Sequence, residues 1–193
     1  MSMEPQVKKI CKTGYFHLRN IASIRNNINE KDAKTLTHAF VTSVLDNGNS
    51  LLNGISKKNM NKLQVLQNSA ARVVAKKRKF DHISETRKEL HWLPVEARIK
   101  FKMLNFVWKS LNEMAPIYLV KKIKKKANQR SLRSTDTNIL YIPGYNRTTF
   151  GGRAFENAAP ALWNKLPIDI RNIKTMSLFQ SRLKTCLFTQ YYN

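Results

Sequence analysis

With 193 residues, 42% hydrophobic and 9% aromatic, the chain has enough apolar mass to bury a core in one large domain or two small ones, which excludes compositional disorder. Its 35 Lys and Arg against 12 Asp and Glu leave a net charge of +23, an excess that repels itself in a folded protein unless a polyanion lies nearby. Two cysteines at opposite ends, Cys11 and Cys186, could pair in principle but are too few for a disulfide framework, and no run of about 18 apolar residues reads as a membrane span.

The stretch MSMEPQVKKI lacks the apolar centre of a secretory signal, so an intracellular, reducing setting is expected, nuclear or nucleo-cytoplasmic, with the sequon at Asn146-Arg147-Thr148 unused. From about residue 5 to 125 the pattern is helical. A first helix is predicted from Pro5 to about Asn26. Val7, Cys11, Leu18 and Ile21 share one face of it, and Lys8, Lys12, Tyr15 and Arg19 form a second stripe. Asn29 reads as the N-cap of a second helix, with Asp32 as its partner in a weak capping box. Leu36, Phe40 and Val44 form that helix's apolar line until Asp46-Asn47-Gly48-Asn49 bends or breaks it. Gly54 reads as a stop. A third helix follows Ser56 to about Lys76, with Met60, Leu63, Gln67, Ala70 and Val74 inward and Lys58, Lys62, Ser69 and Arg72 outward.

After a short helix over Ser84 to Leu90 comes ELHWLPVEARIKFKMLNFVWKSLNEMAP, Glu89 to Pro116. Pro94 opens a helix there, with Trp92 placed to staple against its first turn near Ala97. Val95, Ile99, Met103 and Phe106, with Ala97, Phe101, Leu104, Trp108 and Leu111, wrap most of the circumference, so burial is expected on nearly all sides. Arg98, Lys102, Asn105, Lys109 and Asn112 leave a narrow polar stripe. A short helix from Pro116 follows, and after Lys126 the chain turns polar and loop-like. ILYIPGYNRTTF predicts a hairpin around a Pro143-Gly144 turn. RAFENAAPALWNKLP and a last helix, capped by Thr175 and carrying Phe179, Leu183 and Leu187, complete the chain. The expected fold is mainly α: a helical bundle of about six to eight helices with one small β-hairpin near residues 138–150. Residues 1–126 are expected to form a basic bundle, and 127–193 a loop, the hairpin and C-terminal helices packing on it.

No catalytic constellation emerges. His17, His38, His82 and His91 are scattered, and no Cys/His set has zinc spacing. Glu85 and Glu89 share their helix with Arg87 and Lys88, which marks a solvated face rather than an acid–base pair. The acids are spread singly, without the cluster that Mg²⁺-dependent polymerases and nucleases require. No catalytic residue, metal, cofactor or small-molecule substrate is therefore expected. Charge points first to nucleic acid and second to an anionic membrane surface, against a merely Lys-rich protein. Each basic stripe alone reads as a solvated helix face; jointly they read as a groove that tracks a phosphate backbone with little sequence reading. The candidate contacts are Lys8, Lys12, Arg19, Lys58, Lys62, Arg72, Arg98, Lys102, Asn105 and Lys109, with Arg130 and Arg133 of RSLRS. Tyr145 and Arg147 are further donors. The runs Lys76–Lys79 and Lys121–Lys126 read equally as nuclear-import signals or as solvated ends.

Five stretches, in chain order LQNSAARVV, ELHWLPVEARIKFK, SLRS, GGRAFENAAPALWNKLP and FQSRLKTCLF, resemble the C-terminal region of LINE-type (non-LTR) retrotransposon polyproteins of the jockey-like and related clades. FHLRNIASIR, Phe16 to Arg25, resembles the stretch just downstream of their polymerase palm, and the similarity runs from about residue 7 to 189. The resemblance implies the thumb-adjacent, post-palm part of a reverse transcriptase, a region that holds RNA template and DNA primer. The aspartate-bearing palm motif and the endonuclease are absent from this sequence, so no catalytic residue carries over. Val44, Asn47-Gly48, Gly152 and Ala161 depart from the family's usual residues, as in a decayed or truncated copy. The expected function is thus a non-catalytic remnant of an RNA-directed DNA polymerase that binds RNA, DNA or both. Two alternatives stand beside it: a fragment of a longer active reverse transcriptase, and a helical protein-interaction module or product without selected function.

Overall fold

Pro5 sits in the first turn of α1 (Glu4–Ile24), where its missing N–H is one the helix leaves unpaired anyway. The structure, a computed structural model, describes residues 3–126, 138–144 and 151–192, and among these it is mainly helical. α1 buries Val7, Ile10, Gly14, Leu18 and Ile21, so Ile10 takes the inward place expected of Cys11, which is half-buried. The next helix is α2 (Glu30–Thr37), where the Asp32 N–H donates to Asn29 Oδ1 at 2.8 Å, as the capping pattern predicts. α2 runs through a π-helical turn (His38–Thr42) into α3 (Ser43–Asp46). The buried line there is Ala33, Thr37, Val41 and Leu45, one position off the expected Leu36, Phe40 and Val44, and Phe40 is 47% exposed. A line at steps of four drifts by about 40° per step on an ideal α-helix, and the wider π turn removes that drift. Ala33 and Thr37 are also small enough to let their helix approach its neighbours closely.

α4 (Lys57–Ala75) starts at Ser56, whose Oγ accepts from the Asn59 N–H at 3.3 Å. α1 and α4 run parallel: Glu4 lies beside Lys62, and Arg25 reaches the carbonyls of Val73 and Val74. A Cβ on Gly14 would stand 2.5 Å from Leu66 Cδ2, so glycine permits the close approach of the pair. α5 (Ser84–Glu89) leads to α6 (Val95–Leu111). Between them His91 has φ 54°. The Trp92 N–H donates to Arg87 O at 2.9 Å and the His91 N–H to Lys88 O at 3.0 Å, which is the left-handed end called a Schellman motif. His91 thus serves as a helix terminator.

Three helices of the remainder are α7 (Ile117–Val120), α8 (Phe155–Asn164) and α9 (Ile168–Arg171), and α10 (Met176–Tyr192) closes the described chain. α10 buries Phe179, Leu183 and Leu187, the face read from the sequence. The expected hairpin is not seen. No strand forms among the described residues; Leu140 makes an isolated antiparallel bridge with Lys125, and 145–150 lie outside the described residues. Two other partners take the backbone of this segment. The Lys126 N–H donates to Ile139 O and the Tyr141 N–H to Lys124 O, each at 2.9 Å. The Asn164 side chain exchanges two bonds of 2.9 Å with the N–H and C=O of Leu140. A β-rich run supplies a ladder edge but not its partner, and here an amide side chain fills that role.

The chain divides into two compact units, Met1–Ile99 with Phe188–Asn193, and Lys100–Leu187. The 124–126 segment, tied to 139–141, belongs to the second unit. In the first unit Val7, Ile10, Leu18, Leu63, Leu66 and Val74 are buried on the α1–α4 pair. The loop into α6 is gripped by α4: Gln67 Nε2 donates to Leu93 O at 2.8 Å, and Gln64 Oε1 accepts from the Val95 N–H at 3.0 Å. Trp92, 3% exposed, packs edge-on to His38 with ring centroids 5.3 Å apart, and its carbonyl accepts from the Tyr192 hydroxyl at 2.7 Å. In the second unit Phe179 lies between Trp108 and Trp163, at centroid distances of 5.9 and 5.8 Å. Both indole N–H groups are satisfied at 2.8 Å, by Ile173 O and Asn138 O.

Candidate nucleic-acid interface

In the first unit the second stripe of α1 is open to solvent: Lys8, Lys12, Tyr15 and Arg19 are all exposed. Because α4 runs parallel to α1, Lys58 and Lys62 come to the same end as Lys8. Glu4 Oε1 lies 3.5 Å from Lys8 Nζ and 3.6 Å from Lys62 Nζ. The ammonium of Lys8 first, then that of Lys62, hold its carboxyl below the usual range, and Lys58 adds to the pull. The Cys11 thiol, beside Lys62, is pushed up by its burial, with the lysine opposing. Five cations, Lys8, Lys12, Arg19, Lys58 and Lys62, therefore stand on one helix pair, with Glu4 among them.

Two arginines of the candidate set are committed elsewhere. Arg72 donates from NH2 to the Asp81 carbonyl at 3.2 Å. Arg98, with 18% of its side chain exposed, forms a two-pronged pair with Asp46, through Nε to Oδ1 at 2.9 Å and NH2 to Oδ2. The fork fastens the start of α6 to the end of α3 and leaves the guanidinium little freedom to meet a phosphate. Arg25 was missed by sequence reasoning, since its carbonyl partners lie 48 and 49 residues further along the chain.

In the second unit Lys102 is exposed, its Nζ 5.6 Å from the Phe106 ring, and Lys109 is half-buried. Asn105 is only 6% exposed and donates to Phe101 O at 2.8 Å, so the narrow stripe expected on α6 is interrupted by a buried amide. The helix turns that position inward because the neighbouring Met103, Leu104, Val107 and Trp108 are all buried around it. Arg130 and Arg133, with Tyr145 and Arg147, lie outside the described residues. Beside α7 a shallow cavity of about 350 Å³ is lined by Lys121, Lys122, Lys124, Tyr141, Pro143 and Glu156. Lys122 Nζ sits 2.5 Å from Glu156 Oε2, which leaves Lys121 and Lys124 facing solvent.

Among the described residues no three His, Cys, Asp or Glu side chains converge as a metal site requires, both cysteines are free thiols, and no helix is long and apolar enough to cross a membrane. The arrangement offers ammonium and guanidinium groups on helical faces, suited to phosphate oxygens, without a directed base-reading array. No family model matches the chain, and no curated protein and no solved structure matches it either.

Proposed function

We propose that the chain is a sequence-tolerant binder of RNA or DNA backbone, a non-catalytic remnant of a LINE-type reverse transcriptase. The observation that carries this reading is the α1–α4 surface: Lys8, Lys12, Arg19, Lys58 and Lys62 on two parallel helices, in a chain of net charge +23. Phosphate binding by such a surface releases condensed counterions. The resemblance to the post-palm region supports the choice of nucleic acid over other polyanions. Nuclear residence belongs to the same proposal, supported by the exposure of Lys76, Lys77, Arg78 and Lys79.

The test is affinity against salt, measured with a mixed-sequence oligonucleotide. The logarithm of the binding constant is expected to fall linearly with log salt, by roughly 0.7 to 0.9 per phosphate contacted. Replacing Lys8, Lys12 and Lys58 together by Gln is expected to make that slope shallower by about 2, with helicity by circular dichroism unchanged. An affinity that is flat between low and physiological salt, or a slope indifferent to these replacements, overturns the reading. Genomic DNA upstream of the Met1 codon separates remnant from fragment: an in-frame palm with its aspartates there replaces the remnant reading by that of a longer polymerase.

A further inference from the structure

The turn after α4 displays Phe80, which at 89% is the most exposed of the large apolar side chains described. It stands at the tip of a four-residue turn, Arg78 to Asp81, that is closed twice. The Asp81 N–H donates to Arg78 O at 3.2 Å, and Asp81 Oδ2 accepts from the Arg78 N–H at 2.7 Å. Both ends are tied back to α4. Arg72 NH2 donates to the Asp81 carbonyl at 3.2 Å, and the Lys77 N–H donates to the Arg72 carbonyl at 3.0 Å. The ring is therefore held out into solvent by a built turn.

Its company is cationic. Lys76, Lys77, Arg78 and Lys79 are all exposed, and Lys79 Nζ lies 5.5 Å from the Phe80 ring centroid. Asp81, the acid of the turn, commits one carboxylate oxygen to the backbone. An exposed ring among cations matches what an unpaired nucleotide presents, a π-face of any base and phosphates on either side. A bilayer surface carries the same sign of charge, but one phenyl between Lys79 and Asp81 lacks the apolar face that interfacial binding uses.

We infer that the Arg78–Asp81 turn is a stacking post for single-stranded nucleic acid, with Phe80 taking an unpaired base and Lys77, Arg78 and Lys79 the adjoining phosphates. The inference rests on the nucleic-acid reading above and adds to it a preference for single over double strands at one place.

The full chain and its Phe80→Ala and Phe80→Tyr variants are compared by fluorescence anisotropy on a labelled oligothymidylate and on a mixed-sequence duplex of equal length. Phe80→Ala is expected to weaken single-strand binding roughly tenfold, the loss of one base–aromatic stack, while duplex affinity and the salt slope stay as they are because no charge is removed. Phe80→Tyr retains the affinity. A strand carrying 2-aminopurine is expected to be quenched by the wild type and not by Phe80→Ala. Single-strand affinity unchanged in Phe80→Ala, or an equal loss on both nucleic acids, overturns the stacking post while leaving backbone binding intact. So does a Phe80→Ala loss confined to phosphatidylserine vesicles. A wild-type chain that binds neither nucleic acid overturns both readings together.

Discussion

Arg25 is buried, and its guanidinium donates to carbonyls: Nε to Val73 O at 3.0 Å, NH2 to Val74 O at 2.8 Å and NH1 to Ile28 O at 2.8 Å. It covers the last turn of α4, where carbonyls are short of donors, Val73 O taking only a 3.4 Å bond from the capping Lys76 N–H, and where the dipole is negative. Arg25→Met is expected to lower unfolding stability by about 2–4 kcal/mol, because it takes the guanidinium donors from the Val74 and Ile28 carbonyls and leaves Val73 O only its long bond from Lys76. Arg25→Lys recovers only the smaller part, since one ammonium does not reproduce the planar fork. Urea unfolding measures both, and a Met variant within about 0.5 kcal/mol of wild type, the range of an ordinary surface change, would defeat the capping account. The sequence did not reveal this role. An arginine ending a basic helix reads as seeking solvent or phosphate, and its partners are supplied by a helix whose alignment no local pattern encodes. Arg98, placed on an outward stripe, meets Asp46 for the same reason. The lysines Lys8, Lys12, Lys58 and Lys102, by contrast, stay exposed as read. The difference is chemical: a strongly hydrated ammonium keeps to water, and a weakly hydrated guanidinium is easily satisfied by protein oxygens.

At the scale of elements, local chemistry was legible and pairing was not. Asn29 with Asp32, Ser56, and the Phe179, Leu183, Leu187 face all stand where hydrogen-bond chemistry and period place them. The phase of α2, and the lack of a strand among the described residues of the expected hairpin, depended on neighbours that a single segment does not specify. Helix ends show the same divide. α4, α5 and α6 stop in left-handed residues that are not glycine: Lys76, His91 and Glu113, at φ 51°, 54° and 57°. After α6 the Met114 N–H donates to Lys109 O at 2.8 Å, which fixes the Schellman geometry around Glu113. Left-handed backbone costs a residue with a Cβ about 1–2 kcal/mol, and a carboxylate adds repulsion at a helix C-terminus. Glu113→Gly is therefore expected to stabilise the chain by about 0.5–1 kcal/mol, a rise in Tm of roughly 2–3 °C. Calorimetry measures it, and a fall in Tm would mean that Glu113 holds a contact outweighing its backbone strain.

Over the whole molecule, the net charge of +23 was legible from composition alone, and it repels itself in the native state. A polyanion that binds only the folded chain is expected to raise its Tm. At a ligand concentration of about 100 Kd the gain is about 2.7 kcal/mol, or roughly 5–10 °C. Thermal melts with heparin, against neutral dextran as control, measure this; an unchanged or lowered Tm with heparin would show that the cations do not act together. Their arrangement was legible only in part. Composition counts charges, but which of them stay free depends on partners such as Asp46 and the Asp81 carbonyl that arrive from elsewhere in the chain. The two bonds between Asn164 and Leu140 have a consequence for solubility. A β-rich segment with a bare ladder edge invites the same segment of another copy to add to it. Here one carboxamide occupies the N–H and C=O of Leu140, so a second chain finds no register to extend. A single asparagine thus guards the outer edge of a β-rich stretch at Leu140.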